Sequence, residues 1–185
     1  MEFVRSFIAI ELDEDVKNKI MEFENRLKEC KSEMKFVEKE NLHITIKFLG
    51  EINMKLLENI YEEIEKIKEE KFTISVKGVG VFPNERFMRV IWVGVEEGKD
   101  KILKIQKEIE EKLLKFGFSK EKDFIPHITV ARVKSVSNRN EILKIFEEFK
   151  EKNFGKSLID RITLKKSILT PKGPIYSNLK EVFFR

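Results

Sequence analysis

The chain predicts an α+β fold of two similar lobes that share one interior or face one cleft. Strand-like and helix-like segments alternate from one end to the other. No Pro/Gly/Ser-rich linker interrupts them, and no low-complexity tract stands among them. A His-apolar-Thr-apolar pattern occurs twice, as Leu42-His43-Ile44-Thr45-Ile46 and as Pro126-His127-Ile128-Thr129-Val130. Each copy is followed by polar residues and then a helical pattern, the arrangement expected of paired α+β units. At 185 residues the chain has the length of one large domain or two small lobes, so residues 1–185 are expected to form a single bilobal domain.

The elements follow in order. Phe3 to Ile10 is rich in aromatic and branched residues and predicts a strand. From Asp13 to about Cys30, Val16, Ile20, Phe23 and Leu27 recur at spacings of three and four, which predicts an amphipathic helix with Asp13 as its N-cap. Met34 to Val37 and Leu42 to Leu49 predict strands. A helix is expected from about Lys55 to Glu69, with Leu56, Ile60, Ile64 and Ile67 on one side. Strands are expected at 72–81 and 89–95, then a helix from about Asp100 to Lys115 with Ile102, Ile105, Ile109 and Leu113 as its stripe. A strand at 127–133, a helix at about 140–150 and strands at 158–169 and 175–184 complete the pattern.

Composition narrows the class. An apolar share of 41%, with 16 Phe, supplies a sizeable core and excludes wholesale disorder. The 37 basic and 33 acidic residues are interspersed and leave a formal charge of +4, so a modest basic excess permits an anionic ligand without demanding one. Cys30 is the only cysteine, which excludes an intramolecular disulfide and a zinc–thiolate cluster. The first residues lack the basic start and small-residue cleavage site of a secretory signal, and apolar runs such as 90–95 are far too short to span a bilayer. A soluble, cytoplasmic protein with no membrane partner is expected.

His43 and His127 are the only histidines, and each finds a Thr two positions on although Thr occurs five times in the chain. Composition alone would produce that coincidence roughly once in 1,000. In a strand, residues i and i+2 share a face, so His43 with Thr45, and His127 with Thr129, present an imidazole and a hydroxyl together while Ile44, Ile46, Ile128 and Val130 are buried behind. Two such strands side by side suit phosphoryl chemistry without a metal. One neutral imidazole takes a proton from the attacking oxygen, a charged one protonates the departing oxygen, and the Thr hydroxyls donate to the non-bridging oxygens. A metal site would need carboxylates beside the histidines, and neither motif carries one. No Gly-x-Ser-x-Gly elbow and no Gly-rich phosphate loop is present.

The motifs resemble those of the 2H phosphoesterase superfamily, in particular its RNA 2′,3′-cyclic phosphodiesterase branch, also called 2′-5′ RNA ligase. The first stands within Glu40-Asn41-Leu42-His43-Ile44-Thr45-Ile46-Lys47-Phe48-Leu49-Gly50-Glu51, and the second within Pro126-His127-Ile128-Thr129-Val130-Ala131-Arg132. Gly80-Val81-Phe82-Pro83 with Arg89 to Val95, and Ser167-Ile168-Leu169 with Gly173-Pro174-Ile175-Tyr176, look like the middle and closing signatures of that branch. The resemblance covers essentially the whole chain. It implies antiparallel sheets forming a V-shaped cleft with helices outside, and hydrolysis of RNA or nucleoside 2′,3′-cyclic phosphates to 2′-phosphates without a cofactor or metal. It implies His43 as proton donor to the leaving O3′ and His127 as proton acceptor from water, with reversible, ATP-independent 2′,5′ RNA joining as a further reaction. RNA ends, tRNA halves among them, are the implied partners of a monomer.

Other residues enter by position. Arg132 matches a phosphate-clamping arginine of the family, and Phe48 an aromatic that stacks on the nucleobase. Strict alternation would turn Phe48 away from His43 and Thr45 unless the strand ends or bulges first. Lys47 is expected on the His face, where it could meet phosphate. Arg89 and Tyr176 are further candidates for lining the cleft, Trp92 reads as core, and Phe82-Pro83 as a turn at a strand exit. Rival readings are another 2H activity, on cyclic ADP-ribose phosphates or as a 3′-end exonuclease, and a non-catalytic module that binds RNA ends.

Overall fold

The computed structural model describes residues 2–185. Its strands are β1 (Phe3–Ile10), β2 (Glu33–Phe36), β3 (Ile44–Asn53), β4 (Phe72–Pro83), β5 (Met88–Val95), β6 (His127–Ser135), β7 (Asn153–Ile159), β8 (Arg161–Thr170) and β9 (Gly173–Phe183). Its α-helices are α1 (Glu14–Lys28), α2 (Met54–Ile64), α3 (Lys99–Leu113) and α4 (Arg139–Phe149). The strands run in the order β7-β4-β5-β6-β3-β1-β8-β9, with β2 also on β6, and every pairing is antiparallel. β3 and β6 touch through one bridge, Ile44 to Ile128, which divides the sheet into the two expected lobes.

Those lobes are interleaved in the chain. The first consists of β3, β1, β8 and β9, so the C-terminal hairpin returns to complete what the N-terminal strand began. β2 crosses from the N-terminal half to pair with β6 in the second lobe. The helices trade places as well, since α1 packs with α4 on the second lobe and α2 with α3 on the first. Neither lobe could therefore form from a half-chain.

Hydrophobic spacing explains why the helices sit where they do. α1 buries Val16, Ile20, Phe23 and Leu27, and α3 buries Ile102, Ile105, Ile109 and Leu113, the stripes visible in sequence. Fully burying one such side chain is worth roughly 1.5–3 kcal/mol. Asp13 occupies the N-cap position of α1 without capping it. Its carboxylate instead accepts from the Leu158 amide at 3.0 Å, and its own amide donates to Ser157 Oγ at 2.8 Å, which ties the start of α1 to β7. Asn53 does cap α2, accepting from the Leu56 amide at 2.8 Å.

Several boundaries differ from expectation: β3 begins at Ile44, just after His43, and β4 runs on through Phe82 and Pro83, which pair with Val90 and Met88 instead of forming a turn. The strand expected at 158–169 is two strands, β7 and β8, parted at Asp160, whose carbonyl accepts from the Phe184 amide at 2.7 Å. The apolar pattern runs through Asp160 with no Gly or Pro to mark the break. α2 stops at Ile64 although Ile67 remains buried. Beyond it the amides of Lys66 and Ile67 bond the carbonyls of Glu63 and Ile64, and the backbone of Glu69 and Lys71 pairs with Arg185.

Candidate active site

The bridge between Ile44 and Ile128 joins the middle residues of the two His-apolar-Thr motifs. Continuing that antiparallel register sets residue 43 opposite 129, and 45 opposite 127. The histidines are thus diagonal neighbours across the strand pair, a relation that spans on the order of 7–8 Å. Ile44, Ile46, Ile128 and Val130 are fully buried behind them, as strand alternation requires.

Each motif strand then breaks its alternation in the same way. In β3 the register against β1 slips between Thr45 and Lys47, and in β6 the register against β5 slips between Thr129 and Ala131. Such a bulge adds one residue and reverses which face the following residues present. Ile46 and Lys47 are both buried, and so are Val130 and Ala131. Phe48 and Arg132, each five positions after its histidine, return to the cleft side. One cavity of about 900 Å³ is lined by His43, Thr45, Phe48, His127, Thr129 and Arg132 together. All six expected site residues converge there, as does Tyr176.

The imidazoles are held alike through one nitrogen. His43 Nδ1 lies 2.6 Å from the carbonyl of Asn41, and His127 Nδ1 lies 2.7 Å from that of Ile125, both two residues back. A carbonyl only accepts, so each Nδ1 carries the proton and each Nε2 is the free basic atom of the neutral ring. His43 Nε2 is 2.7 Å from Thr45 Oγ1, whose hydroxyl donates to it. His127 Nε2 makes no such bond among the described residues.

Aromatic rings wall both sites. Phe7 and Tyr176 stand 5.0 and 5.5 Å from the His43 ring, and Phe82 and Trp92 stand 4.9 and 6.2 Å from that of His127. Burial among these rings lowers the His43 pKa to about 4, the Asn41 carbonyl opposing it and the Lys165 cation reinforcing it. Burial also lowers His127, against the Ile125 carbonyl and the Glu121 carboxylate, with Arg132 adding to the depression. Both rings are therefore neutral at pH 7 in the empty cleft.

Several residues are placed otherwise than the sequence predicts. Lys47 does not offer its charge to the cleft: it is 8% exposed, and its ammonium bonds Glu110 at 2.9 Å and the Ser119 carbonyl at 2.7 Å. Lys47 still lines the cavity, but its charge is taken up by Glu110 and Ser119 while Phe48 is brought forward. Arg89 does not line the cavity. Trp92, expected in the core, is half-buried beside Phe82 and His127, and lies so close over Gly80 that a Cβ there would run into its ring. Phe48 is 64% exposed at the mouth, its ring 6.0 Å from that of Phe7. Arg132 has no ion pair or hydrogen bond among the described residues, so its guanidinium is available to a ligand.

Some participants left no trace in residue type. Asn41 and Ile125 act through main-chain carbonyls, and only their common position two before each histidine marks them. Phe7 is buried yet lines the cavity together with Arg5 and Ser6, and β1 slips its register at Ser6/Phe7 and Ile8/Ala9, so alternation would not have singled it out. The Lys165–Glu11 pair behind His43 joins residues 154 positions apart and has no local signature. Among the described residues no group of three or more His, Cys, Asp or Glu side chains is gathered for a metal ion, and no helix is long and apolar enough to cross a membrane.

Residues 6–184 match the family described as the AKAP7 2′5′ RNA ligase-like domain. A protein of Methanocaldococcus jannaschii named RNA 2′,3′-cyclic phosphodiesterase is 42% identical over 96% of this chain and 99% of its own. Its namesake from Methanothermobacter thermautotrophicus is 38% identical over 97% of this chain and 98% of its own. The crystal structure of TT0787 of Thermus thermophilus superposes with a TM-score of 0.82 at 26% identity, covering 97% of each chain. E. coli LigT complexed with 3′-AMP has the same fold, with a TM-score of 0.80 at 23% identity over 99% of each chain. Paired motifs across one cleft, the bilobal antiparallel fold and a family match from residue 6 to 184 agree, and the chain belongs to the 2H phosphoesterases of the AKAP7 2′5′ RNA ligase-like family.

Proposed function

We propose that this chain, acting as one domain and as a monomer in the cytoplasm, hydrolyses RNA 2′,3′-cyclic phosphate ends to 2′-phosphomonoesters by two-histidine acid–base catalysis. The observation that carries the reading is that both rings are fixed through Nδ1, which leaves Nε2 as the basic nitrogen of each histidine, and that both histidines line one cavity with Thr45, Thr129 and Arg132. His127 Nε2 has no competing donor and is open to take a proton from water. The water oxygen then bonds to phosphorus while the P–O3′ bond breaks. His43 delivers its proton to O3′, and the phosphate remains on O2′. Thr45, Thr129 and Arg132 hold the non-bridging oxygens, and Phe48 takes the terminal base against its exposed ring.

His43 is neutral in the empty cleft, so the acid must be charged when substrate arrives. The diester anion supplies the cause, since a negative charge beside an imidazole favours its protonated form. With a 5′-hydroxyl end in place of water, the same step gives a 2′,5′ linkage: His127 takes the hydroxyl proton, O5′ bonds to phosphorus, and O3′ leaves with the proton from His43. This joining needs no ATP because the strained ester is already activated. RNA fragments with cyclic ends, tRNA halves among them, are the substrates this chemistry fits.

An RNA oligonucleotide ending in a 2′,3′-cyclic phosphate tests the reading. The expected result is a single 2′-phosphomonoester product, with EDTA leaving the rate unchanged. A 3′-phosphate product, no turnover, or faster cleavage of an ADP-ribose cyclic phosphate would overturn it.

A further inference from the structure

The bulge in β3 contains an anomaly that its counterpart in β6 lacks. The second lobe fills the buried position with Ala131, whereas the first buries the ammonium of Lys47. Folding alone gives no reason for the difference, because an apolar side chain in such a place commonly stabilises a protein as well as a buried ion pair does. What Lys47 reaches supplies a reason. Its Nζ bonds Glu110 of α3, 5% exposed, and the carbonyl of Ser119. Lys47 Nζ meets both carboxylate oxygens; Oε2 also accepts from the Glu121 amide at 3.1 Å, and Oε1 from Gln106 at 3.3 Å.

Ser119 and Glu121 belong to the segment that runs from α3 to β6. Farther along that segment lie Glu121, Asp123, Phe124 and Ile125, all on the cavity wall, and Ile125 supplies the carbonyl that orients His127. A single buried carboxylate thus fastens the β3 residue between Thr45 and Phe48 to the approach of the second histidine. We infer that Lys47 and Glu110 are positioning residues for the proposed reaction, setting the first motif and the His127 segment in mutual register from behind the cleft. The inference rests on the two-histidine reading for its catalytic meaning, but its structural half concerns His127 alone.

The test is a folded variant without the pair. Lys47→Met with Glu110→Leu removes both charges at once, so no unpaired ion is left buried. With the wild type turning over a cyclic-ended RNA, kcat of the double variant should fall about 10-fold or more, because small displacements of reacting groups are costly. Its KM should change less. The imidazole of His127, followed by NMR with no substrate present, should titrate at lower pH than in the wild type. Both groups that favour its charged form, the Ile125 carbonyl and the Glu121 carboxylate, sit on the released segment. Glu110→Asp retains the charge and keeps the variant foldable, while withdrawing the carboxylate by one methylene; it should show the same displacement with a smaller loss of kcat. Wild-type kcat in the double variant, or a loss of kcat with the His127 titration unmoved in either variant, would overturn the inference. Neither result would touch the two-histidine reading, which stands or fails on wild-type turnover.

Discussion

The two motif strands are built to one plan and furnished differently. In each, a histidine is fixed by the carbonyl two residues back, a Thr follows on the same face, and a bulge returns the fifth residue to the cleft. That plan sets where reacting groups stand. The furnishings separate what they can do. His43 lies among Phe7 and Tyr176 with its Nε2 bonded to Thr45, and the Lys165 cation behind it. His127 has an unbonded Nε2 and lies beside Arg132. After the bulge, one strand offers an aromatic ring and the other a guanidinium. On the proposed reading, a near-symmetric backbone straddles a phosphate while asymmetric side chains decide which side receives the base of a nucleotide and which its charge.

The plan breaks most visibly if either histidine is removed. His43→Ala and His127→Ala should each lower kcat at least ~100-fold, the usual scale for a positioned acid or base. Because the two act in one step, the double variant should be little worse than the poorer single variant. Circular dichroism should show the fold retained in all three. Turnover near the wild-type rate in one of them would take that ring out of the mechanism and leave the motifs merely structural twins.

The furnishings are tested by the residues after the bulges. Arg132→Ala should cost about 10- to 100-fold in kcat/KM, as the loss of a charge-assisted contact does. Lys in its place should restore only part, since a point charge cannot bridge two oxygens as the planar fork does. Phe48→Ala should raise KM about 5-fold or more, with kcat nearly unchanged, because a base stacked on that ring stabilises ground state and transition state alike. A fall in kcat without a change in KM at Phe48 would mean that the ring shapes the reacting centre instead of holding the base.

How much of this was legible beforehand depended on range. The stripes of α1 and α3, the strand status of both motifs and the sharing of a face by His and Thr follow from local periodicity, and the structure keeps them. The place of Phe48 was legible only as a conflict between alternation and family position. The bulge resolves it, and a bulge has no reliable mark in a run such as Ile44-Thr45-Ile46-Lys47. Lys47 was misplaced for the same reason. The break at Asp160 and the Lys165–Glu11 pair depend on partners distant in sequence, which periodicity does not carry. Trp92 reads as core because it is a large aromatic, but it is only half-buried, and the missing side chain of Gly80 is what leaves room for its ring.

The smallest effect is expected at the threonines, and it separates the two motifs most finely. The Thr45 hydroxyl donates to His43 Nε2, which favours the neutral ring. Thr45→Val removes that bond, so the His43 pKa should rise from its depressed value while remaining below the ordinary imidazole range, burial still being the larger cause. Thr129 makes no such bond to His127, so Thr129→Val should leave the empty-cleft titration of both rings unmoved. The chain has only two histidines, so the two imidazole signals can be followed by NMR without ambiguity. Adding inorganic phosphate should raise both pKa values in the wild type, since the anion favours imidazolium, and binding should therefore take up protons and weaken as the pH rises. Thr129→Val should reduce that rise by removing one donor to the anion. Equal titration shifts in the two Val variants before phosphate is added would show that the motifs are wired alike, and the division of labour drawn from their differences would lose its basis.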